Sequence, residues 1–310
     1  MKRVMSAWLA GLLFALGLHG FCANVDEVNP RIGNVAWLLQ PTRPTVHLPN
    51  SMVRFHPYRS DARADQIDYF PLTMCSHRHD GTFSVMPAPG PLTYDHVLVS
   101  PYSYSVWLEE LDVLLEFTPG AWCGFFRVAF TNQPAELTFS TRNEGAFQPM
   151  GAAAFTGVET YRTETKVYVF GEFDQPVTLT LTNGGLVAVA QDSGARVLQF
   201  RYGLSYISAE QAERNLRNEL THWDFELQKS VARERWNTAL ERIQVKGGTS
   251  AQRRVFFTAL YRCYERMVNI TEEGRYWSGY DNQVHQADRP FYVDNWLWDT
   301  YLALEPLHMI

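Results

Sequence analysis

A change of hydrophobic period near Ser208 constrains the fold of this chain more than any other sequence feature. Before Ser208, apolar and polar residues alternate, as in strands that bury one face. After it, apolar residues recur every three or four positions, as on a helix that packs by one face. The chain has 310 residues, a length that suits two domains. We therefore predict a β-domain followed by helices.

The first part, from about residue 25 to residue 208, predicts many short antiparallel strands. "LDVLLEFT" (111–118) and "PVTLTLTN" (176–183) show the alternation, and in the second we predict Val177, Leu179 and Leu181 on one face. Turn clusters such as "NQPAE" and "NGG" separate the apolar runs. The pattern is typical of two packed sheets or of a closed barrel. The alternation does not distinguish the two packed sheets from the closed barrel.

The second part predicts two helices. Ser208, with Gln211 three residues later, is typical of a capping box. One apolar stripe is then predicted to run through Leu216, Leu220, Trp223, Leu227 and Val231. The glycines of "KGGTSAQ" end this helix, and Ser250 is predicted to cap the next, over residues 250–268. That helix carries apolar residues on more than one face, so we expect other helices to surround it.

Residues 1–23 are typical of a secretory signal peptide. Lys2 and Arg3 precede the apolar run "VMSAWLAGLLFALGL", and small residues follow, with cleavage predicted before or after Ala23. A short membrane anchor and a lipoprotein modified at Cys22 are the alternatives. We expect an exported protein that is periplasmic, on the cell surface or secreted. No other stretch reaches the ~20 apolar residues that span a bilayer.

Charge and cysteine content exclude some classes of protein. The formal net charge is −6 without a cluster of Lys and Arg, which argues against a nucleic-acid partner. Three cysteines remain if Cys22 leaves with the signal, so a disulfide framework is excluded. A single disulfide between Cys75 and Cys123 and buried free thiols both stay open.

A candidate binding region lies between residues 275 and 301, where Trp, Tyr, Asp, Asn and His are concentrated. Aromatic rings stack on the apolar face of a sugar, and carboxylates and amides bind its hydroxyls. Asp299 follows Trp298 at a predicted helix start, and there it is placed to accept two hydroxyls. It is equally a preferred helix N-cap, and the two roles are compatible.

The segment "CSHRHDG" (75–81) is a second candidate. On a strand, His77 and His79 point to the same face. Such a pair suits a transition metal, or else a polar loop whose histidines bind backbone groups or a ligand. No third metal ligand follows at a characteristic spacing.

The sequence does not single out a catalytic pair. Glycosidases commonly use two carboxylates, and the candidates in the last third are Glu265, Glu272, Asp281, Asp288 and Asp294. The G-x-S-x-G elbow, the G-x-G-x-x-G loop and the Walker loop do not occur in the sequence.

Several of these segments together resemble glycoside hydrolase family 92, a family of secreted bacterial exo-acting α-mannosidases. Residues 203–310 match it almost continuously, including "GRYWSGYDNQVH" and "LWDTYLALEPL". "VNPRIG" (28–33), "MVRFHP" (52–57) and "CSHRHDG" resemble further motifs. Two departures are visible: the family's glycine-rich loop is not recognisable after residue 33, and Leu302 stands where an arginine is usual.

The resemblance implies a domain order. After the signal peptide, it predicts a β-sandwich at residues 24–207 and a helical linker at 208–247. The first helices of an (α/α)6 catalytic barrel follow at residues 248–310, where the barrel is incomplete. The active site is expected between sandwich and barrel, and the remainder of the barrel is the expected partner of residues 248–310.

The resemblance also implies a chemistry, which is calcium-dependent hydrolysis of terminal α-linked mannose with inversion. The acid, the base and most Ca2+ ligands are expected beyond residue 310, so no catalytic residue is assigned and this chain alone is expected to be inactive. Asp299 and Trp298, with His77 and His79 from the sandwich, are the expected substrate-binding residues. A non-catalytic carbohydrate-binding protein and an inactive truncated product are the alternatives.

Overall fold

The computed structural model describes residues 24–35, 42–61, 63–75, 81–162 and 164–310. Within these ranges there are twenty strands, β1 to β20. They are Val46–His47, Arg54–Phe55, Gln66–Ile67, Phe70–Met74, Gly81–Met86, Leu92–Ser100, Ser103–Leu108, Val113–Pro119, Cys123–Phe130, Glu136–Ser140, Gly145–Met150, Ala154–Tyr161, Thr165–Phe173, Val177–Thr182, Gly185–Ala190, Val197–Ser205, Val268–Asn269, Arg275–Ser278, Gln283–Gln286 and Tyr292–Val293.

The described residues also form five α-helices. These are α1 (Ala209–Glu219), α2 (Phe225–Leu240), α3 (Ser250–Cys263), α4 (Leu297–Thr300) and α5 (Leu304–His308). Two short 3-10 helices lie at Asn24–Glu27 and Glu109–Leu111. Helices thus follow the long strands, as the change of period predicts.

Two antiparallel sheets pack face to face as a sandwich. The larger has nine strands in the order β11-β12-β13-β16-β9-β8-β7-β6-β3, and the smaller has five in the order β14-β15-β10-β5-β4. One hydrophobic core fills the space between them. Phe139 of the smaller sheet, for example, lies 4.9 Å from Phe200 and 4.8 Å from Phe155 of the larger, measured between ring centroids. The structure therefore selects the sandwich over the closed barrel.

The alternation in the sequence predicts burial well in a central strand and poorly at a sheet edge. Val113, Leu115 and Phe117 of β8 are fully buried, as the pattern indicates. In β14 only Val177 is buried, and Leu181 is 55 % exposed. The reason is that β14 is the edge strand of the smaller sheet, where the opposite sheet no longer covers the far end.

The single stripe predicted after Ser208 is wrong beyond Leu220. The chain leaves the helix at Leu220 and starts α2 again at Phe225, with the Asp224 side chain accepting from the Leu227 amide at 3.0 Å. This break rotates the apolar stripe of α2 relative to that of α1, so Leu227 is exposed while Trp236 is buried. The predicted cap at Ser208 is confirmed, since its hydroxyl accepts from the Gln211 amide at 3.1 Å.

α3 packs with α2 and the 3-10 helix at Asn24–Glu27 around a second apolar cluster. Thr249, one residue before the predicted Ser250, caps α3. In this cluster the His47 ring lies between Trp236 and Tyr261, each at 5.1 Å. Burial lowers the pKa of His47 to about 4. The cluster fixes α2 and α3 against one end of the sandwich.

Cys75, Cys123 and Cys263 are free thiols, so the possible Cys75–Cys123 disulfide is not formed. Cys123 is buried, with its sulfur 3.4 Å from the Asn215 carbonyl oxygen. In the described ranges, no helix is both long and apolar enough to cross a bilayer. The predicted signal peptide, residues 1–23, lies outside these ranges.

Candidate functional site

The candidate site is a cleft of about 320 Å³ between the sandwich and the segment that follows α3. Its size and mixture of aromatic and polar groups are typical of small-ligand sites. The lining residues are Cys75, Tyr161, Arg162, Thr165, Tyr206, Ile270, Trp277, Gly279, Val293, Asp294 and Trp296.

The sandwich forms one wall of the cleft. Cys75 follows β4, and Tyr206 follows β16. The Tyr206 hydroxyl donates to the Cys75 sulfur at 3.8 Å, and Thr82 lies 3.7 Å from the same sulfur. Burial raises the pKa of the Cys75 thiol to about 11. Cys75 therefore lines this wall as a protonated thiol and is a poor nucleophile.

The opposite wall carries two indoles. Trp277 lies in the hairpin of β18 and β19, where it pairs with Val284. Its neighbour Tyr276 stacks on Phe291 with 3.8 Å between ring centroids, which holds the hairpin against the strand before Trp296. Trp296 is 45 % exposed. Two partly exposed rings on one wall offer flat apolar surfaces that suit stacking by a sugar ring.

A largely buried ion pair connects the indole wall to β2, which packs on β4 of the sandwich. The Asp294 carboxylate accepts from Arg54 of β2 at 2.8 Å, and the two side chains are 11 % and 4 % exposed. Arg266 lies 4.0 Å from the same carboxylate oxygen. Because Asp294 is held in this way, it lines the cleft as an ion-paired carboxylate.

A second buried carboxylate, Glu272, lies behind the cleft. It accepts from the Tyr206 amide at 2.9 Å and from the Asn215 side chain of α1 at 2.7 Å. Burial raises the pKa of Glu272 to about 7, although its hydrogen bonds with Ser205, Tyr206 and Asn215 oppose this shift. The Glu272 carboxylate thus links Tyr206 to α1 by hydrogen bonds that favour its ionised form. Its backbone pairs with Arg275 at the start of the hairpin.

Of the predicted substrate-binding residues, Trp298 and Asp299 are described, and they do not line this cleft. Trp298 is 86 % exposed in α4, and Asp299 is also exposed. Asp299 does not cap the helix, because Trp296 occupies the N-cap position and Asp299 is the third residue of α4. His77 and His79 lie outside the described residues, although Cys75, just before them, lines the cleft. Sugar binding by these four residues stays a prediction.

Sequence reasoning located the aromatic segment but selected different members of it. Trp277 and Trp296 belong to the region singled out between residues 275 and 301, so their aromatic content was the available signal. Arg54 lies within the motif "MVRFHP". Arg162 carries no local signal, whereas Tyr206 lies at the start of the stretch that resembles the family. Only the packing of the sheets brings these two residues to the cleft.

Two family models match the chain, and each covers residues that line one side of the cleft. Residues 27–250 match the glycosyl hydrolase family 92 N-terminal domain. Residues 211–310 match the glycosyl hydrolase family 92 catalytic domain. The sandwich wall falls within the first match and the indole wall within the second. The chain is therefore of the glycoside hydrolase class, and it belongs to glycosyl hydrolase family 92.

Solved structures share this fold. A family GH92 inverting mannosidase from Bacteroides thetaiotaomicron superimposes with a TM-score of 0.82 at 24 % identity, over 92 % of this chain and 46 % of that chain. A GH92 α-mannosidase of the same organism, in complex with mannoimidazole, superimposes with a TM-score of 0.77 at 18 % identity, again over 92 % of this chain and 46 % of that chain. This chain thus spans about half the length of these relatives. The predicted sandwich followed by helices is confirmed.

A curated relative matches over a shorter stretch. An uncharacterised secreted glycosidase of Arthroderma benhamiae is 28 % identical over 122 residues, which are 37 % of this chain and 16 % of that protein. The match agrees with the glycosidase class.

Proposed function

We propose that this chain is the N-terminal part of a glycoside hydrolase that removes terminal α-linked mannose from glycans. The observation that carries the proposal is the cleft between the segments matched by the two family models, where Trp277 and Trp296 line one wall. The printed descriptions of the structural relatives, which are mannosidases, support mannose as the sugar.

The cleft-lining residues are suited to binding and orientation. The indoles offer apolar platforms, and Arg162, Thr165 and Tyr206 offer polar groups for hydroxyls. Inversion requires an acid and a base about 6.5–9.5 Å apart with a water between them. Asp294 is the one carboxylate among the described lining residues, so we propose that residues outside the described part supply this pair.

Calcium dependence enters the proposal through the family resemblance. The described residues contain no group of three or more His, Cys, Asp or Glu that is placed to hold a metal ion. The described residues therefore show no carboxylate-rich cluster of the kind that commonly binds Ca2+. We propose that the Ca2+ ligands, like the acid and base, come from the remainder of a catalytic barrel that packs beside α3 and α4.

We also propose that the protein is exported. Residues 1–23 have the pattern of a signal peptide, and the printed description of the curated relative is of a secreted glycosidase. Cleavage near Ala23 would leave Asn24–Glu27 as the first structured segment.

The test is an assay of the complete gene product on an aryl α-mannoside, with calcium and with chelator. We expect mannose release that the chelator abolishes, and β-mannose as the first product in a proton NMR time course. An aryl α-glucoside serves as the matched control. First release of α-mannose would contradict inversion, and hydrolysis of the glucoside alone would contradict the mannosidase proposal.

A non-catalytic carbohydrate-binding protein is the second candidate. The single carboxylate among the described lining residues favours it, because binding needs no acid and base. Calorimetric binding of α-mannosides without turnover by the complete gene product would support this alternative and exclude the hydrolase.

A further inference from the structure

The Arg54–Asp294 ion pair lies where the chain leaves β20 and turns towards Trp296. Asp294 has a φ of 62°, in the left-handed region that Asp tolerates better than most residues. This backbone conformation accompanies a carboxylate that reaches back to Arg54, 240 positions earlier in the chain. The pair therefore fixes both the position and the direction of the chain just before the indole.

Among the described residues, the backbone hydrogen bonds of this segment to the rest of the chain lie before Asp294, at Phe291 and in β20. β20 pairs with β17 over only two residues, Val268 with Val293 and Asn269 with Tyr292. α4, which starts directly after Trp296, has four residues and no side-chain cap. A charged hydrogen bond between two buried groups is stronger and more directional than these contacts.

The geometry of the pair favours a positioning role over a stabilising one. A buried ion pair gains little stability over apolar side chains of similar size, because both charges lose their hydration. It does demand one relative placement of its two groups. Asp294 and Trp296 both line the cleft, so placement of the carboxylate is also placement of the platform.

We propose that Arg54 and Asp294 are positioning residues that hold the Trp296 indole as a sugar platform and thereby set the affinity of the cleft for mannosides. This inference rests on the proposed function for its ligand. The position of the indole itself does not depend on that function.

The test uses the chain labelled with 5-fluorotryptophan, in which Trp296→Phe assigns one 19F resonance among the nine tryptophans. The main variant is Arg54→Met with Asp294→Asn, which removes both charges, leaves neither stranded and keeps at position 294 a residue that tolerates the left-handed φ. We expect it to fold, with a shifted or broadened Trp296 resonance and an unchanged resonance from buried Trp236. Affinity for an α-mannoside is expected to fall roughly tenfold, as misplacement of a binding group predicts.

Two variants separate position from charge. Arg54→Lys keeps the cation and is expected to restore part of the Trp296 signal. Arg266→Gln removes the more distant cation, 4.0 Å from the carboxylate and about one-third exposed, and is expected to leave that resonance unchanged.

An unchanged Trp296 resonance in the folded double variant overturns the proposal, as does unchanged mannoside affinity where the unmodified chain binds. If the unmodified chain binds no mannoside while the Trp296 resonance still changes, the positioning role stands, and the assay of the complete gene product decides the proposed function separately.

Discussion

The sandwich and the segment from residue 264 to residue 310 are held by different forces. Phe126, Phe139, Phe155 and Phe200 are fully buried in the sandwich core. The later segment joins that core near its start, through Val268 and Ile270. Further along, Trp298 and Leu302 are exposed, and the Arg54–Asp294 ion pair lies just before Trp296. The comparison teaches that apolar burial fixes the sandwich, whereas the indole wall combines apolar contacts with directional polar ones.

The exposed apolar residues of the later segment indicate a surface for binding. They include Leu297, Trp298, Tyr301 and Leu302, which are close in sequence. Contiguous apolar patches on a protein surface commonly mark sites of interaction. This is consistent with the proposal that the remainder of a catalytic barrel covers them.

The largest effect is expected from Phe200→Ala in the sandwich core. The Phe200 ring contacts those of Phe139, Phe155 and Phe173, and it is fully buried. Loss of the ring leaves a cavity, so the free energy of unfolding should fall by about 3–5 kcal/mol. Urea unfolding followed by circular dichroism measures this. A fall below about 1 kcal/mol would contradict a close-packed core.

The next prediction concerns pH and compares two buried groups outside the sandwich core. Burial raises the pKa of Glu272 from 4.5 to about 7, so the folded state binds that proton more tightly than the unfolded state. Its stabilising contribution is complete below pH 4.5 and is lost as pH rises through 7. The loss is on the order of 3 kcal/mol, at about 1.4 kcal/mol per pKa unit.

His47 acts with the opposite sign. Burial lowers its pKa from 6.5 to about 4, so stability is present above pH 6.5 and is lost as pH falls through 4. We expect the two effects to oppose each other between pH 4.5 and 6.5 and to give a shallow profile. In Glu272→Gln only the His47 effect remains, so stability should rise with pH. In His47→Asn only the Glu272 effect remains, so stability should fall as pH rises. Thermal unfolding across this range measures both, and parallel profiles would contradict the assignment.

A smaller effect is expected from Glu219→Ala, which removes the hydrogen bonds and the ion pair that connect the sandwich to α1 and α2. The Glu219 carboxylate accepts from the Ala121 and Trp122 amides at 2.6 and 2.9 Å. It also pairs with Arg235 at 2.8 Å and is 5 % exposed. Removal leaves the partly buried Ala121 and Trp122 amides without this acceptor, so the free energy of unfolding should fall by roughly 1–2 kcal/mol. Glu226→Ala, at a carboxylate that is 62 % exposed, is the control for chemical denaturation. Equal losses of unfolding free energy in the two variants would exclude a specific contribution of Glu219.

The smallest effect on stability is expected from Trp298→Ala. Because this side chain is 86 % exposed, the free energy of unfolding should change by less than about 0.5 kcal/mol. The predicted sugar-binding role instead requires weaker mannoside binding, which calorimetry measures. A large loss of stability would show that Trp298 is buried in solution, in a dimer for example.

The candidate site was only partly predictable from the sequence. The concentration of aromatic residues after 275 is a local property, so the sequence located the wall that carries Trp277 and Trp296. The prediction favoured Trp298 and Asp299 because they follow each other at a helix start. Which indole enters the cleft depends on the direction of the chain after Asp294, and a residue 240 positions earlier sets that direction.

The sequence by itself determined the order of a β-domain and helices, because the hydrophobic period is local and directly reports which face of an element is buried. It also determined the cap at Ser208, which depends on residues within one turn. Only the tertiary structure decided that the sheets form a sandwich, that the stripe breaks at Leu220, and that Arg54 meets Asp294. Each of these depends on contacts between residues distant in sequence, whose burial and charge pairing exist only once the sheets and helices have packed.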